Sequence, residues 1–142
     1  MALRGKRRQT LRVFLSYASA DREYAHHVRS LLAQRPDVHV FTTEMLSAGE
    51  DWQSKLKDEL SKCDIFLVLL SPNAVESKWV LHELGAAWAM DKPIIPIVTH
   101  PKVFARVPVA LSQEQFVEIK DLEKPGTINR ILERYEEAGV SP

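Results

Sequence analysis

One segment limits the folds open to this chain more than any other: Ile65-Phe66-Leu67-Val68-Leu69-Leu70, an apolar run with no polar residue at either parity. Successive side chains of a strand point to opposite faces, so a strand of this composition needs apolar cover on both. Such strands lie inside parallel sheets that helices wrap from both sides. The run is also far shorter than the roughly twenty residues that cross a bilayer as a helix. No membrane span is expected, and the basic start from Met1 to Arg12 lacks the apolar stretch of a secretory leader.

Strand-like and helix-like patterns alternate on either side of that run. Leu11 to Tyr17 is a first strand, followed by Ser19 as a helix N-cap with Asp21 and Glu23 in the first turn. Tyr24, Ala25, Val28, Leu31 and Leu32 form one apolar stripe, and Pro36 ends that helix. Val38 to Phe41 is a second strand. Thr42 to Asp51 is a polar loop of ten residues containing Gly49, longer than most strand-to-helix connections. Trp52, Leu56 and Leu60 recur at helical spacing. After the apolar run, Ser71-Pro72-Asn73 is a turn and Ser77 to Met90 a third helix. Pro93 to Val98 is a fourth strand, in which Pro96 predicts irregular pairing. Phe116 to Ile119 is a fifth strand. Thr127 to Glu137 closes the chain as a helix packed through Ile128, Ile131, Leu132 and Tyr135.

This alternation predicts an α/β fold, a flavodoxin-like five-stranded parallel sheet of order 2-1-3-4-5 with helices on both faces. The 142 residues suit one domain: a basic flexible arm over 1–10, the globular unit over 11–138 and a tail over 139–142. Ligands of such sheets bind beyond the carboxyl ends of the strands, at the point where strand order reverses. The expected pocket is therefore lined by Ser16 and Tyr17, the loop 42–51, Ser71 and the start of the helix at Ser77.

Composition excludes several functions. Apolar residues make up 45% and charged residues 27%, which is ordinary for a folded soluble domain. Net charge is zero, but Arg4, Lys6, Arg7, Arg8 and Arg12 stand in a start without acids. The remainder carries 14 of the 19 basic residues against all 19 acids, no footprint for nucleic acid. A single cysteine, Cys63, suits a small core position and a reducing, cytoplasmic setting. No GxGxxG or GxxxxGK[ST] pattern is present, which argues against a dinucleotide oxidoreductase or a P-loop enzyme. No GxSxG elbow is present either. His26, His27, His39, His82 and His100 show no metal-ligand spacing. A phospho-receiver needs an aspartate ending the third strand, where Ser71 stands; Asp64 is at its start.

The helix Ser77-Lys78-Trp79-Val80-Leu81-His82-Glu83-Leu84-Gly85-Ala86-Ala87-Trp88 carries the chemistry that remains. At about 100° per residue, Val80, Leu81, Leu84, Ala87 and Trp88 form the expected core side. Trp79 and Glu83, four apart, share a flank. An indole can stack on a flat heterocycle, and a carboxylate can bind sugar hydroxyls or stabilise developing positive charge. A peripheral packing tryptophan beside a solvated glutamate gives the same spacing.

The segment Val13-Phe14-Leu15-Ser16-Tyr17-Ala18-Ser19-Ala20-Asp21 resembles the first box of Toll/interleukin-1 receptor (TIR) domains. Ser47-Ala48-Gly49-Glu50-Asp51-Trp52 resembles the end of their BB loop and the start of the next helix. Ile65 to Ser71, then Ser77-x-Trp79-x-x-x-Glu83-Leu84, is similar to the strand and helix that bear their catalytic glutamate. The resemblance runs from about Leu11 to Tyr135. The chain lacks the Arg-Asp-x-x-Pro-Gly loop and Phe-Trp box common in animal receptors, and looks more like the bacterial and plant branch that cleaves NAD at the nicotinamide–ribose bond. The resemblance implies Glu83 as the catalytic carboxylate and Trp79 as an aromatic wall. It also implies that Ser16, Tyr17, Leu46 and Gly49 line the rest. Thr42 departs from relatives that place an acid nearby.

The function expected from these readings is an NAD glycohydrolase acting in defence or signalling, activated by self-association or by a sensor partner. NAD is its substrate, and no cofactor, metal, membrane or nucleic-acid partner is expected. The alternatives are a non-enzymatic TIR interaction module and a nucleoside deoxyribosyltransferase.

Overall fold

The computed structural model describes residues 10–46, 49, 51–106, 111 and 116–140. Residues 1–9 of the basic arm, Ser47, Ala48 and Glu50, the side chain of Tyr135 and residues 141–142 lie outside the described set. Within that set lie five strands and five α-helices, alternating as far as β4: β1 (Leu11–Ser16), α1 (Arg22–Leu32), β2 (Val38–Phe41), α2 (Trp52–Lys62), β3 (Ile65–Leu70), α3 (Lys78–Ala89), β4 (Ile94–Val98), β5 (Val117–Glu118), α4 (Ile119–Leu122) and α5 (Thr127–Val140). The strands form one parallel sheet of order β2-β1-β3-β4-β5, the order the sequence predicts. Among the described residues no helix is long and apolar enough to cross a membrane.

Every residue of β3 is buried, and its two parities serve two separate cores. Phe66, Val68 and Leu70 pack with Leu56 and Leu60 of α2 and Val80, Leu84 and Ala87 of α3. Ile65, Leu67 and Leu69 pack with Ala25, Val28 and Leu32 of α1 and Leu132 of α5. On the first face Phe14 sits between Phe41 and Phe66, with ring centroids 5.3 and 5.4 Å away. These are register partners across β2, β1 and β3, so one aromatic row ties three strands together.

Several expectations need correction. Ser19 does not cap α1. Ser19–Asp21 forms a 3-10 turn, and α1 begins at Arg22 with no side-chain cap bond. The Asp21 carboxylate, at the capping position, is instead engaged by Ser71 and Asn73. Pro96 pairs regularly with Val68. Backbone groups of Pro93 and Thr99 bond β3, so by alternation those of Pro96 face β5, which meets only Ile97 and Val98. The missing N–H therefore breaks no β3–β4 bond. Leu81 and Trp88 are exposed, at 38% and 59%, and Trp52 is exposed at 43%. The buried side of α3 is instead Val80, Glu83, Leu84 and Ala87. This helix is apolar nearly all round, so hydropathy alone does not orient it. The last helix continues past Glu137 to Val140. Tyr17 falls outside β1, and Ile119 leaves β5 to open α4.

The end of α3 is a Schellman closure: Lys92 N–H reaches the Ala87 carbonyl at 3.0 Å, and Asp91 N–H reaches that of Trp88 at 3.1 Å. The closure holds Asp91 at φ 58°, a left-handed conformation that disfavours most side chains. We predict that Asp91→Gly is tolerated while Asp91→Val costs about 1–2 kcal/mol, read by urea unfolding. Equal stability of the two variants would refute the strain at this position.

Candidate active site

The parity of β1 places the central contact. Phe14 faces the α2–α3 side, so Ser16, two residues on, faces it too, at the carboxyl end of the strand. There its hydroxyl donates a 2.5 Å hydrogen bond to Oε1 of Glu83 on α3. Both residues are about 1% exposed, which removes the alternative of a solvated glutamate on the helix flank. Oε2 of Glu83 is buried with no hydrogen-bond partner.

Taking a carboxylate out of water disfavours its charged form. Burial accordingly raises the Glu83 carboxyl from its ordinary 4.5 to about 7, against the opposing pull of the Ser16 hydroxyl and then of the Trp79 indole. Trp79 is half-buried against the same core face as Leu46 of the 42–51 loop. Its ring lies 5.3 Å from that of Trp52 and 6.4 Å from that of His82. Ser77 starts α3 by accepting the Val80 N–H at 3.2 Å, which fixes the helix one turn ahead of Glu83.

The structure thus gathers Ser16, Glu83, Trp79 and Leu46 on one face of the sheet. Tyr17 turns the other way, into the α1–α5 core. Its buried hydroxyl has no hydrogen-bond partner. Burial, and then the neighbouring Glu44, push that phenol's ionisation well up. Gly49 adopts φ 90°, and a side chain there would meet open space, so its contribution to the loop is conformational. Ser71 holds two turns in place. Its hydroxyl donates to Asp21 at 2.5 Å and accepts the Ala74 N–H at 2.9 Å. With Asn73 also donating to Asp21, at 3.2 Å, the turns after β1 and β3 are joined beside the site.

Thr42, which the sequence marks only as a departure from relatives with an acid nearby, is fully buried with an unpartnered hydroxyl. Sequence reasoning missed one ring contact. Trp52, expected on the packing stripe of α2, instead projects to Trp79. Helical spacing gives no sign of a ring contact between two helices. Among the described residues no three His, Cys, Asp or Glu side chains gather as a metal site. A separate open groove of about 620 Å³, lined by His26, Arg29, His39 and Met45 among others, runs beside α1 and β2 and shares no residue with the Ser16–Glu83 contact.

Comparison with known proteins agrees with this architecture. The TIR domain family model matches residues 13–132. The TIR domain of the Toll-related receptor TRR-2 from Hydra magnipapillata is 20% identical, with a TM-score of 0.70 over 87% of this chain and 97% of that one. The TIR domains of the activated Roq1 resistosome, which directly recognises the pathogen effector XopQ, are 20% identical, with a TM-score of 0.55 over 93% and 86%. A 2-desoxiribosyltransferase from Leishmania mexicana is also 20% identical, with a TM-score of 0.52 over 89% and 97%. At these identities the likeness is one of fold. None of the curated proteins matches the sequence.

The buried carboxyl makes stability depend on pH. Between pH 4.5 and about 7 the folded protein keeps a proton on Glu83 that the unfolded chain has lost. Stability from this group is thus full at low pH and falls as pH rises through that interval, by about 1.4 kcal/mol per unit at the steepest. We predict that Glu83→Gln matches the parent near pH 4.5 and is the more stable of the two at pH 8, compared by chemical denaturation. A variant less stable at pH 8 would mean that the ionised carboxylate stabilises the fold.

Proposed function

The chain belongs to the TIR domain family, and from that premise we propose that it is an NAD glycohydrolase with Glu83 as its catalytic carboxylate. The observation that supports this reading is the half-used carboxyl of Glu83. One oxygen is held by Ser16, the other is buried and unpartnered, and an indole stands beside them. A carboxyl that costs stability when ionised has a use where a cation arrives to compensate it.

NAD supplies such a cation. Its nicotinamide is positively charged and leaves neutral, so departure needs no general acid. As the bond breaks, positive charge passes to the ribose in an oxocarbenium-like transition state, which a nearby carboxylate stabilises. Ser16 orients Glu83 and favours its ionised form. Trp79 offers a flat wall to the leaving ring, and Leu46 covers the site from the loop. Water as nucleophile gives ADP-ribose; a nucleophile within the same molecule gives a cyclic product.

Two other readings are separable by one assay. A TIR interaction module would release nothing from NAD. A deoxyribosyltransferase, a fold neighbour of this chain, would release base from deoxynucleosides. We predict nicotinamide release from NAD at high protein concentration, no base release from deoxynucleosides, and a loss of at least about 10²–10³ in turnover for Glu83→Gln. Near-parental turnover in that variant would reject the assignment. Because the ionised form is the active one, kcat/KM should rise with pH through about 7. Ser16→Ala, by removing a donor that favours ionisation, should move that rise to higher pH. A flat profile in both proteins would exclude Glu83 as the titrating group.

Regulation is proposed to come through assembly, with a second copy or a sensor partner completing the site. The loop from Thr42 to Asp51 borders the site through Leu46 and turns at Gly49 with φ 90°, a conformation closed to proline. The expected result is that NAD turnover per molecule falls steeply on dilution, in step with loss of assembly by light scattering, and that Gly49→Pro uncouples the two. Constant turnover per molecule across the dilution series would reject this control.

A further inference from the structure

Trp52 and Trp79 come from different helices, and they form a corner. Their ring centroids are 5.3 Å apart and their planes are inclined by 53°. A third ring sandwiched between them would need them about 7 Å apart, so a ligand ring can lie over the pair but not between them. Trp52 leaves 43% of its surface in water at the first residue of α2. The His82 ring lies 6.4 Å from that of Trp79, inclined by 27°. On the buried side of Trp79 is the carboxyl of Glu83.

The two indoles and the carboxyl share one electrostatic character. The face of an indole is the negative end of its quadrupole and attracts cations more strongly than any other aromatic side chain. An ionised Glu83 adds negative charge on the same side. A flat ring is accepted by either indole face whether or not it is charged, but only a cationic ring gains from the field. In NAD the pyridinium is such a ring, and it becomes neutral at the moment it leaves.

We infer that Trp52, with Trp79, forms a subsite that selects a cationic pyridinium over a neutral ring of the same shape. The oxidised dinucleotide is thereby held more tightly than released nicotinamide or the reduced dinucleotide, both with neutral rings. That the natural ligand is NAD rests on the glycohydrolase reading above; the preference for charge rests on the aromatic corner and can be tested without turnover.

The test is titration of the full chain at pH 8 with 1-methylnicotinamide, a cation, and with nicotinamide, its neutral counterpart. Binding is followed through the indole N–H signals of the three tryptophans by NMR. The cation should bind about tenfold more tightly, shifting Trp52 and Trp79, while Trp88, on the exposed side of α3, stays in place. Trp52→Ala should reduce the preference below about twofold, and Trp52→Phe should keep most of it. Equal affinities for the two ligands would overturn the inference. So would a preference unchanged in a folded Trp52→Ala protein, which would make the ring a packing element only. A charge preference without any cleavage of NAD would leave the subsite standing and remove the glycohydrolase reading. Cleavage of NAD without the preference would do the reverse.

Discussion

The absence of a polar face on β3 governs the rest of the molecule. A strand that must be dry on both sides forces two helical layers, and each layer closes off its face along the strand length. Polar groups can then meet only beyond the strand ends. At the carboxyl end of the sheet they do: Ser16, the last residue of β1, meets Glu83 of α3, and the Asp21–Ser71–Asn73 link joins the segments following β1 and β3. The same constraint that builds the core thus decides where chemistry is possible. It also explains why Ser16 rather than Tyr17 reaches Glu83, since adjacent side chains along β1 and its continuation look into different cores.

Glu83 is the point at which the fold gives up stability. A glutamine or an apolar residue at that position would suit a helix face packed on a sheet. The chain instead keeps a carboxyl with one oxygen bonded and one left over, flanked by a hydroxyl and an indole that both favour its ionisation. Opposed influences of this kind bring an acid into the range where a neighbouring charge can switch it. The cost falls on the ligand-free protein and is recovered where positive charge is brought alongside.

The sheet was readable in the sequence because its signal is local. Alternating periods, the apolar run and the turn residues between them leave few strand orders once right-handed crossovers are required, and the observed order is the one chosen among them. The orientation of α3 was not readable. Most of the residues Lys78–Ala89 are Trp, Val, Leu or Ala, so several faces qualify as buried. The one polar contact of the buried face is with a distant residue, Ser16, 67 positions away, which no local pattern shows. The aromatic corner escaped for the same reason: Trp52 obeys the spacing of a packing residue, and only the three-dimensional meeting of α2 with α3 shows its second neighbour. Pro96 is the converse case. A rule about proline in strands predicted disruption, and the short reach of β5 made it harmless.

The outermost strands are also the shortest in the described sheet, four residues in β2 and two in β5. Exposed edges are where sheets of neighbouring molecules fuse by sharing main-chain hydrogen bonds, a nearly irreversible route to fibres. So little free edge offers a poor template for that kind of growth. Copies of this domain that come together are left with side chains and loops as their means of contact, and such contacts can be undone. Contacts of that kind come apart on dilution, where a fused sheet edge would not.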